Sequence, residues 1–383
     1  MLNFVHIGIG QCGNRFAELF GKRGRTALAV NTAMVDMSGL DEKAVPKKNR
    51  IHIAMEGAKD GAGRNPTVGR ASMEENVSMV YDSIMKAVGG RAADWFVIWA
   101  GLGGGTGTGG IKPLMEKLIE EGKNVMLAVT LPRKKEGWVV RMNAMNALNE
   151  IISDLEDRKT PPVPYIVIDN EKIQGGLDSE NERIVSDLVR FSNMTENVPV
   201  ASAFDDTDFG RLLSYKGMAS LIRMTFPPDD LEDTEAIMRA AREAWESSLL
   251  AKVEPADATG AVLLLSAPSK MLKKKEGREN IDRGIENLES LYPSANPYSC
   301  MYVGKNGDTD SRVAVYVLLT GLPAPEDNLD EIYEDVKDKV EQDKRRRKDR
   351  KRQQKEAQAK RKMFSYDPNN IDDDDDNDDL LEF

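Results

Sequence analysis

The residues best placed to do chemistry in this chain are glycines. GLGGGTGTGG, Gly101 to Gly110, carries seven glycines and two threonines and follows directly on the apolar run DWFVIWA. Packing gives no evident reason for so much bare backbone. Two further loops share the pattern: GIGQCGN at Gly8–Asn14 and DGAGRNP at Asp60–Pro66. Glycine lets a backbone approach a ligand closely and adopt φ > 0 without a Cβ clash. Successive backbone N–H groups then form an anion-binding concavity, reinforced by the positive N-terminus of the next helix. Thr106 and Thr108 add hydroxyl donors. The chemistry implied is the binding of a polyphosphate, mostly through backbone amides.

The three loops differ in specificity. Gly-x-Gly-x-x-Gly at Gly8, Gly10 and Gly13 is shared with dinucleotide folds and with plain strand–helix turns. The third cluster lacks the Gly-Lys-Ser/Thr ending of a Walker loop and the valine of a kinase loop.

Such loops work only at the ends of strands. FVHIGIG, TALAVNT, IHIAM, WFVIWA, VMLAVTLP and YIVID read as strands, separated by segments of helical periodicity. That alternation is the pattern of a parallel sheet covered on both faces. Ligands bind such sheets beyond the carboxyl ends of the strands, where these loops fall. Ser179–Asn193 reads as a long amphipathic helix and Phe209–Met224 as a shorter one. Helices at Asp233–Leu250 and Asn280–Leu291, with strands AVLLLSA, YSCMYVG and RVAVYVLLTGL, predict a second, smaller α/β unit. From Asn328 to about Lys362 the propensity is helical, with Leu329, Ile332, Val336 and Val340 on one face, after which the segment is almost all charge.

The bulk composition sets limits. The 383 residues carry a net charge of −11, with a basic block and then an acidic block near the C-terminal end. Cys12 and Cys300 are too few for a disulfide framework, and His6 and His52 too few for a histidine-rich metal site. No run reaches membrane-spanning length and no basic-then-apolar leader opens the sequence, so the expectation is a cytoplasmic protein without direct membrane insertion.

GLGGGTGTGG resembles the phosphate signature of the tubulin/FtsZ superfamily. GQCGN is similar to the first nucleotide loop of eukaryotic tubulins, and GAGRNPTVGR to the γ-phosphate loop of FtsZ. AVNT, VIDNEKI and NERI resemble further loops of that family, in family order over about the first two hundred residues. The resemblance implies an α/β fold: a parallel-sheet GTPase domain (1–178), a central helix, catalytic loop and following helix (179–222), and a smaller α/β activation domain (223–323). A charged C-terminal helix (324–362) and an acidic tail (363–383) complete it. The implied ligand is GTP or GDP with Mg²⁺. Gly10, Gln11, Cys12, Gly103, Gly104, Gly105, Thr106 and Gly107 would hold the α- and β-phosphates. Gly61, Ala62 and Gly63 would sense the γ-phosphate, and Glu136 and Asn143 would meet the ribose region. Asn14, Asn170 and Asn181 would read the guanine edge, although each asparagine by itself also reads as a cap or turn residue.

AFDDTDFGRLLSYKGMASL resembles the catalytic loop of FtsZ, placing Asp205 and Asp208 on its two acidic positions. Ala203 stands where that family has asparagine, and Asp206 substitutes if the register slips by one. The competing reading is a helix N-cap cluster. The resemblance implies head-to-tail self-assembly, with the acids of one subunit serving the nucleotide of the next.

The loop LPRKKEGWVVRMNAMNAL and the order of the later strands resemble the CetZ and TubZ branches more than division FtsZ, and the acidic C-terminal end resembles that of phage tubulins. The basic run KRRRKDRKRQQKEAQAKRK would suit a DNA-bound adaptor protein, and IDDDDDNDDLLEF would suit a knuckle gripping a neighbouring subunit. A solvated charged helix with a solubility tail, or a tail folded back on the helix, are the alternatives. Three functions follow: a filament that moves DNA or phage particles, an FtsZ- or CetZ-type division or shape scaffold, and a nucleotide-binding regulator that does not polymerise.

Overall fold

A computed structural model describes residues 3–54, 60–157, 161–200, 202–233, 235–304 and 312–363. The acidic tail segment from 364 onward lies outside the described residues. Residues up to Tyr333 form one compact unit, and Glu334 onward forms another.

The first unit begins with strand–helix alternation. In order come β1 (Phe4–Ile9), α1 (Gly10–Gly21), β2 (Thr26–Asn31), α2 (Met34–Ser38), β3 (Arg50–His52) and α3 (Pro66–Val88). They are followed by β4 (Trp95–Gly101), α4 (Thr106–Glu120), β5 (Val125–Leu131), α5 (Trp138–Asp157) and β6 (Tyr165–Asp169). The strands are short apolar runs buried on both faces, so they pair in parallel in the order β3-β2-β1-β4-β5-β6. The core beneath β1 and β4 is aromatic. His6 stacks on Phe20 with ring centroids 3.5 Å apart, and its Nδ1 accepts a hydrogen bond from Trp99 Nε1 at 3.1 Å.

The central helix α6 (Leu177–Asn193) leads to β7 (Val198–Pro199), α7 (Asp206–Leu212) and β8 (Met218–Phe226). Then come α8 (Ala236–Glu246), β9 (Gly260–Ala267), α9 (Ser269–Leu272), α10 (Lys275–Glu289), β10 (Tyr298–Val303), β11 (Val313–Leu322) and α11 (Glu326–Met363). These later strands extend the same sheet in the order β8-β11-β9-β10-β7. The two halves of the sheet meet at one residue pair, Tyr165 with Met218. β11 runs antiparallel to both β8 and β9, so the later half is mixed where the first is parallel.

One element differs from expectation. The helix predicted over Phe209–Met224 is instead the two-turn α7 followed by the strand β8. Gly217 ends any helical continuation with φ +117°, and a Cβ there would lie 2.4 Å from Leu322 O. From Ser220 to Phe226 the burial alternates with period two, as expected of a strand paired to β11. The helix-favouring Met, Ala and Leu are overridden by that pairing. The boundary expected after residue 222 consequently falls inside β8.

In α11, Leu329 and Ile332 are buried within the first unit. In the second unit the helix carries ion pairs one turn apart: Arg345 with Glu341, Arg347 with Asp343 and Arg352 with Glu356. Pairs of this kind contribute about 0.3–0.5 kcal/mol each.

Candidate functional site: the cleft and the acidic loop

At the carboxyl ends of β1, β2, β4, β5 and β6 lies an open cleft of about 960 Å³. All the residues expected on the nucleotide line it except Asn14, Gly103 and Asn143. Gly10 turns directly from β1 into α1 with φ +70°, and a Cβ there would lie 2.8 Å from Gly107 N. The N-termini of α1 and α4 therefore meet at the cleft floor, where their first backbone N–H groups lack helical partners. Gly104 has open space in front of it, with nothing within 4 Å of a Cβ.

The glycine cluster has a second use that the sequence reading missed. A Cβ on Gly109 would lie 2.1 Å from Pro66 O, and one on Gly69 would lie 2.2 Å from Gly105 O. Helices α3 and α4 therefore pack backbone to backbone. This packing sets the loop from Gly61 to Asn65 against the loop from Gly101 to Gly105. Thr108 also differs from its expected part. Its Oγ1 accepts from Gly103 N at 2.9 Å and braces the loop instead of reaching the cleft. Thr106 does line the cleft, and its hydroxyl pairs with that of Thr32 at 2.5 Å.

The other expected residues are placed as follows. Cys12 sits beside Thr130, Sγ to Oγ1 3.5 Å, and burial raises its thiol pKa so that it stays protonated. Glu136 lines the cleft, and its Oε1 accepts from Arg133 N at 2.8 Å. Asn143 instead ties two loops together, donating to Arg64 O and Gly103 O at 3.3 Å each. Asn14, Asn170 and Asn181 are all buried, and all keep unsatisfied polar atoms. Neither side-chain polar atom of Asn14 has a hydrogen-bond partner, nor has Oδ1 of Asn170 or of Asn181. A buried unpaired amide costs about 1–3 kcal/mol, so the two that line the cleft, Asn170 and Asn181, fit a ligand edge that supplies the missing partners, while Asn14 lies outside the lining.

Several lining residues carried no signal of their own in the sequence. Arg15, Arg64, Arg133 and Lys135 bring positive charge to the cleft, and Asp36 brings a carboxylate that accepts from Asn31 Nδ2 at 3.1 Å. Each lies within a few residues of a glycine loop or strand end, which is the only cue the sequence offers. Among the described residues no group of three or more His, Cys, Asp or Glu side chains gathers as a metal site.

Residues 3–178 match the family described as Tubulin/FtsZ family, GTPase domain. They are a tubulin/FtsZ-family GTPase domain. The match covers the strands and loops that build the cleft. Relatives extend the likeness beyond it. The Tubulin-like protein CetZ of Pyrococcus abyssi is 28% identical over 334 residues, 82% of this chain and 88% of that protein. The Tubulin-like protein TubZ of Bacillus cereus is 25% identical over 378 residues, 88% of this chain and 83% of that protein. Among solved structures, a GTPγS-form protofilament of Bacillus thuringiensis TubZ aligns with a TM-score of 0.73 at 21% identity, covering 90% of this chain and 94% of that one. The GDP-bound CetZ1 monomer of Haloferax volcanii aligns at 0.71 and 24% identity, covering 88% and 100%. At these identities the structural likeness carries the fold.

The acidic loop lies at the other edge of the sheet from the GTPase cleft. Phe209 of α7 packs edge-on against Phe4, the first residue of β1, with ring centroids 5.8 Å apart. The cleft begins at the opposite end of that strand, at Ile9 and Gly10. Helix α6 spans the same interval, with Asn181 in the cleft and Phe191 beside Phe209. Asp205 Oδ1 accepts from Thr207 N at 2.8 Å and Asp208 N at 2.9 Å, while Asp208 Oδ2 accepts from Asp205 N at 3.3 Å. The helix-cap reading of these acids is thus realised as a full capping box, which engages one oxygen of each carboxylate. The loop is pinned to β10, since Tyr302 OH accepts from Phe204 N at 2.9 Å. The negative charge of Asp208 is the foremost cause of the raised pKa of Tyr298.

Proposed function

We propose that this chain is a GTPase that assembles head-to-tail into filaments and completes its hydrolytic site across the contact between subunits. The supporting observation is the placement of the acids. β1 and the stretch of α6 from Asn181 in the cleft to Phe191 beside Phe209 lie between the acidic loop and the cleft of the same molecule. At about 1.5 Å per helical residue, that stretch of α6 spans about 15 Å. Asp205, which is exposed, and Asp208, which is half-buried, therefore lie away from their own cleft, where a neighbour could meet them. In the proposed contact they enter the cleft of the next subunit, where a carboxylate orients the attacking water. A contact between two different surfaces does not close on itself and generates a filament. Filament forms are named for TubZ and CetZ2 structures of the same fold.

In this reading Gly10, Gln11, Cys12, Gly104, Gly105, Thr106 and Gly107 cradle the α- and β-phosphates, while Gly103, bonded to Thr108, shapes the loop. Gly61, Ala62 and Gly63 border the γ-phosphate, Glu136 meets the ribose region, and Asn143 acts by bracing the loops. Asn170 and Asn181 meet the guanine edge, whose donors match their unpaired oxygens, while Asn14 lies buried outside the cleft lining. Mg²⁺ would neutralise the phosphates, held mainly by them and by water.

Mixing two inactive variants tests the shared site. Gly104→Phe fills the cleft and Asp208→Ala removes an acid. The mixture should hydrolyse GTP faster than the sum of its parents. The proposal fails if the mixture gains nothing and dilute wild-type chain hydrolyses GTP at a rate per molecule independent of concentration.

For the filament's task we propose the movement or positioning of plasmid or phage DNA. The basic run 344–362 is the docking segment for a DNA-bound adaptor. The second reading is a cell-division or cell-shape scaffold. Filaments that travel with labelled plasmid or phage DNA support the first, and filaments aligned on the envelope support the second.

A further inference from the structure

The loop that carries Asn170 is held from the far end of the first unit. Asp169 ends β6 and is 7% exposed. Its Oδ1 accepts from Glu171 N at 3.0 Å, closing the turn that presents Asn170 to the cleft. Its Oδ2 accepts from the side-chain amide of Asn328 at 2.8 Å. Asn328 lies in the first turn of α11 and is 4% exposed. Its own Oδ1 accepts from Lys252 N at 2.8 Å. Asn328 thus bridges a buried carboxylate and a backbone amide, using both ends of its side chain.

This arrangement has a physical consequence. A buried carboxylate stays in place only where donors satisfy it. Without the Asn328 amide, Asp169 would turn toward water and carry the Asn170 turn with it. Arg133 holds that turn from the other side, its Nε donating to Asn170 O at 3.1 Å. Lys172 fastens the underside, its Nζ donating to Leu250 O at 2.6 Å and Ser248 O at 3.1 Å. Asn170 Oδ1 remains buried and unpartnered, and it can only accept a hydrogen bond. It therefore suits the N1–H and 2-amino donors of guanine and opposes the bare N1 of adenine.

We infer that Asn328 is a positioning residue for base selection, acting through Asp169 on Asn170, so that the root of the C-terminal helix is part of the base site. The inference rests on the guanine-nucleotide reading of the cleft and is independent of filament assembly.

Calorimetric titration of the dilute full-length chain with GDP and with ADP tests it. Asn328→Asp sets two carboxylates face to face. It should weaken GDP binding about tenfold or more while leaving ADP binding unchanged, so the GDP:ADP ratio narrows. The exchange D169N/N328D restores all three hydrogen bonds. The new amide at 169 donates to the new carboxylate at 328, which still accepts from Lys252 N, and the oxygen at 169 still accepts from Glu171 N. The ratio should return to the wild-type value. A wild-type ratio in N328D, or a double variant no better than N328D, overturns the inference. Should N328D not fold, the double variant decides: a wild-type ratio supports the inference, and a narrowed ratio or a second failure to fold overturns it. A wild-type chain with no preference for GDP overturns the guanine reading of the cleft as well.

Discussion

The two edges of the sheet are built on opposite plans. The cleft edge is recessed and glycine-lined, and Asn170 and Asn181 are buried there with a side-chain oxygen unpaired. The acid edge is exposed, and its carboxylates are bonded to their own helix. The first is a site that lacks partners, and the second holds chemical groups with nothing beside them to act on. The acidic loop and the cleft lie at opposite ends of β1. Under the proposed head-to-tail assembly, the contact between copies would be the place where hydrolysis is controlled.

The largest expected effect lies at the cleft edge and concerns packing. Gly109→Val places a side chain against Pro66 O and should destabilise the first unit by several kcal/mol, read from urea unfolding. Gly104→Ala, in open space a few residues away, should shift stability by less than about 1 kcal/mol and instead weaken nucleotide binding. If both variants behave alike, the cluster has one role and not two.

Next comes the acid edge. Asp208→Ala should lower GTP turnover about a hundredfold with nucleotide affinity unchanged. Retained turnover would move the catalytic part to Asp205 or Asp206 and blunt the contrast between the edges.

A smaller effect comes from the core between them. Burial, with the charge of Arg25, lowers the pKa of His6 to about 3, against 6.5 for a free imidazole. Between those values the unfolded chain holds a proton that the folded chain does not. This contribution to stability is therefore complete above about pH 6.5 and lost progressively toward pH 3, at about 1.4 kcal/mol per pH unit. His6→Gln keeps an acceptor for Trp99 Nε1 and should flatten the dependence. Unfolding at pH 7, 6 and 5 gives the difference, and parallel curves for the two proteins would refute it.

The smallest effect is local. Asp205→Ala removes the cap of α7 and should cost about 1 kcal/mol. A much larger loss would mean that the acidic loop supports the second half of the sheet.

Much of the cleft was legible before the fold. Each glycine loop follows an apolar strand, and strand ends are where such sheets bind ligands, so residues as far apart in sequence as Gly10, Gly61 and Gly104 could be assigned to one place, while Asn181 was assigned there by family resemblance. The lining cations Arg15 and Lys135 were not legible, because a charged residue in a loop has no local pattern that distinguishes ligand from solvent. β8 was misread because Met, Ala and Leu favour helix in isolation, while its partner β11 begins 95 residues after Met218.

By itself the sequence determined the order of strands and helices in the GTPase domain, the polyphosphate chemistry at their ends and the charged C-terminal segment. Those features rest on periodicity and composition within a few neighbouring residues. Tertiary structure alone decided which glycines face a ligand and which face another helix, that Thr108 braces a loop, and that Asn328 meets Asp169 across 159 positions. Each of those depends on a distance of two to three ångströms between segments remote in the chain, and no local pattern encodes such a distance.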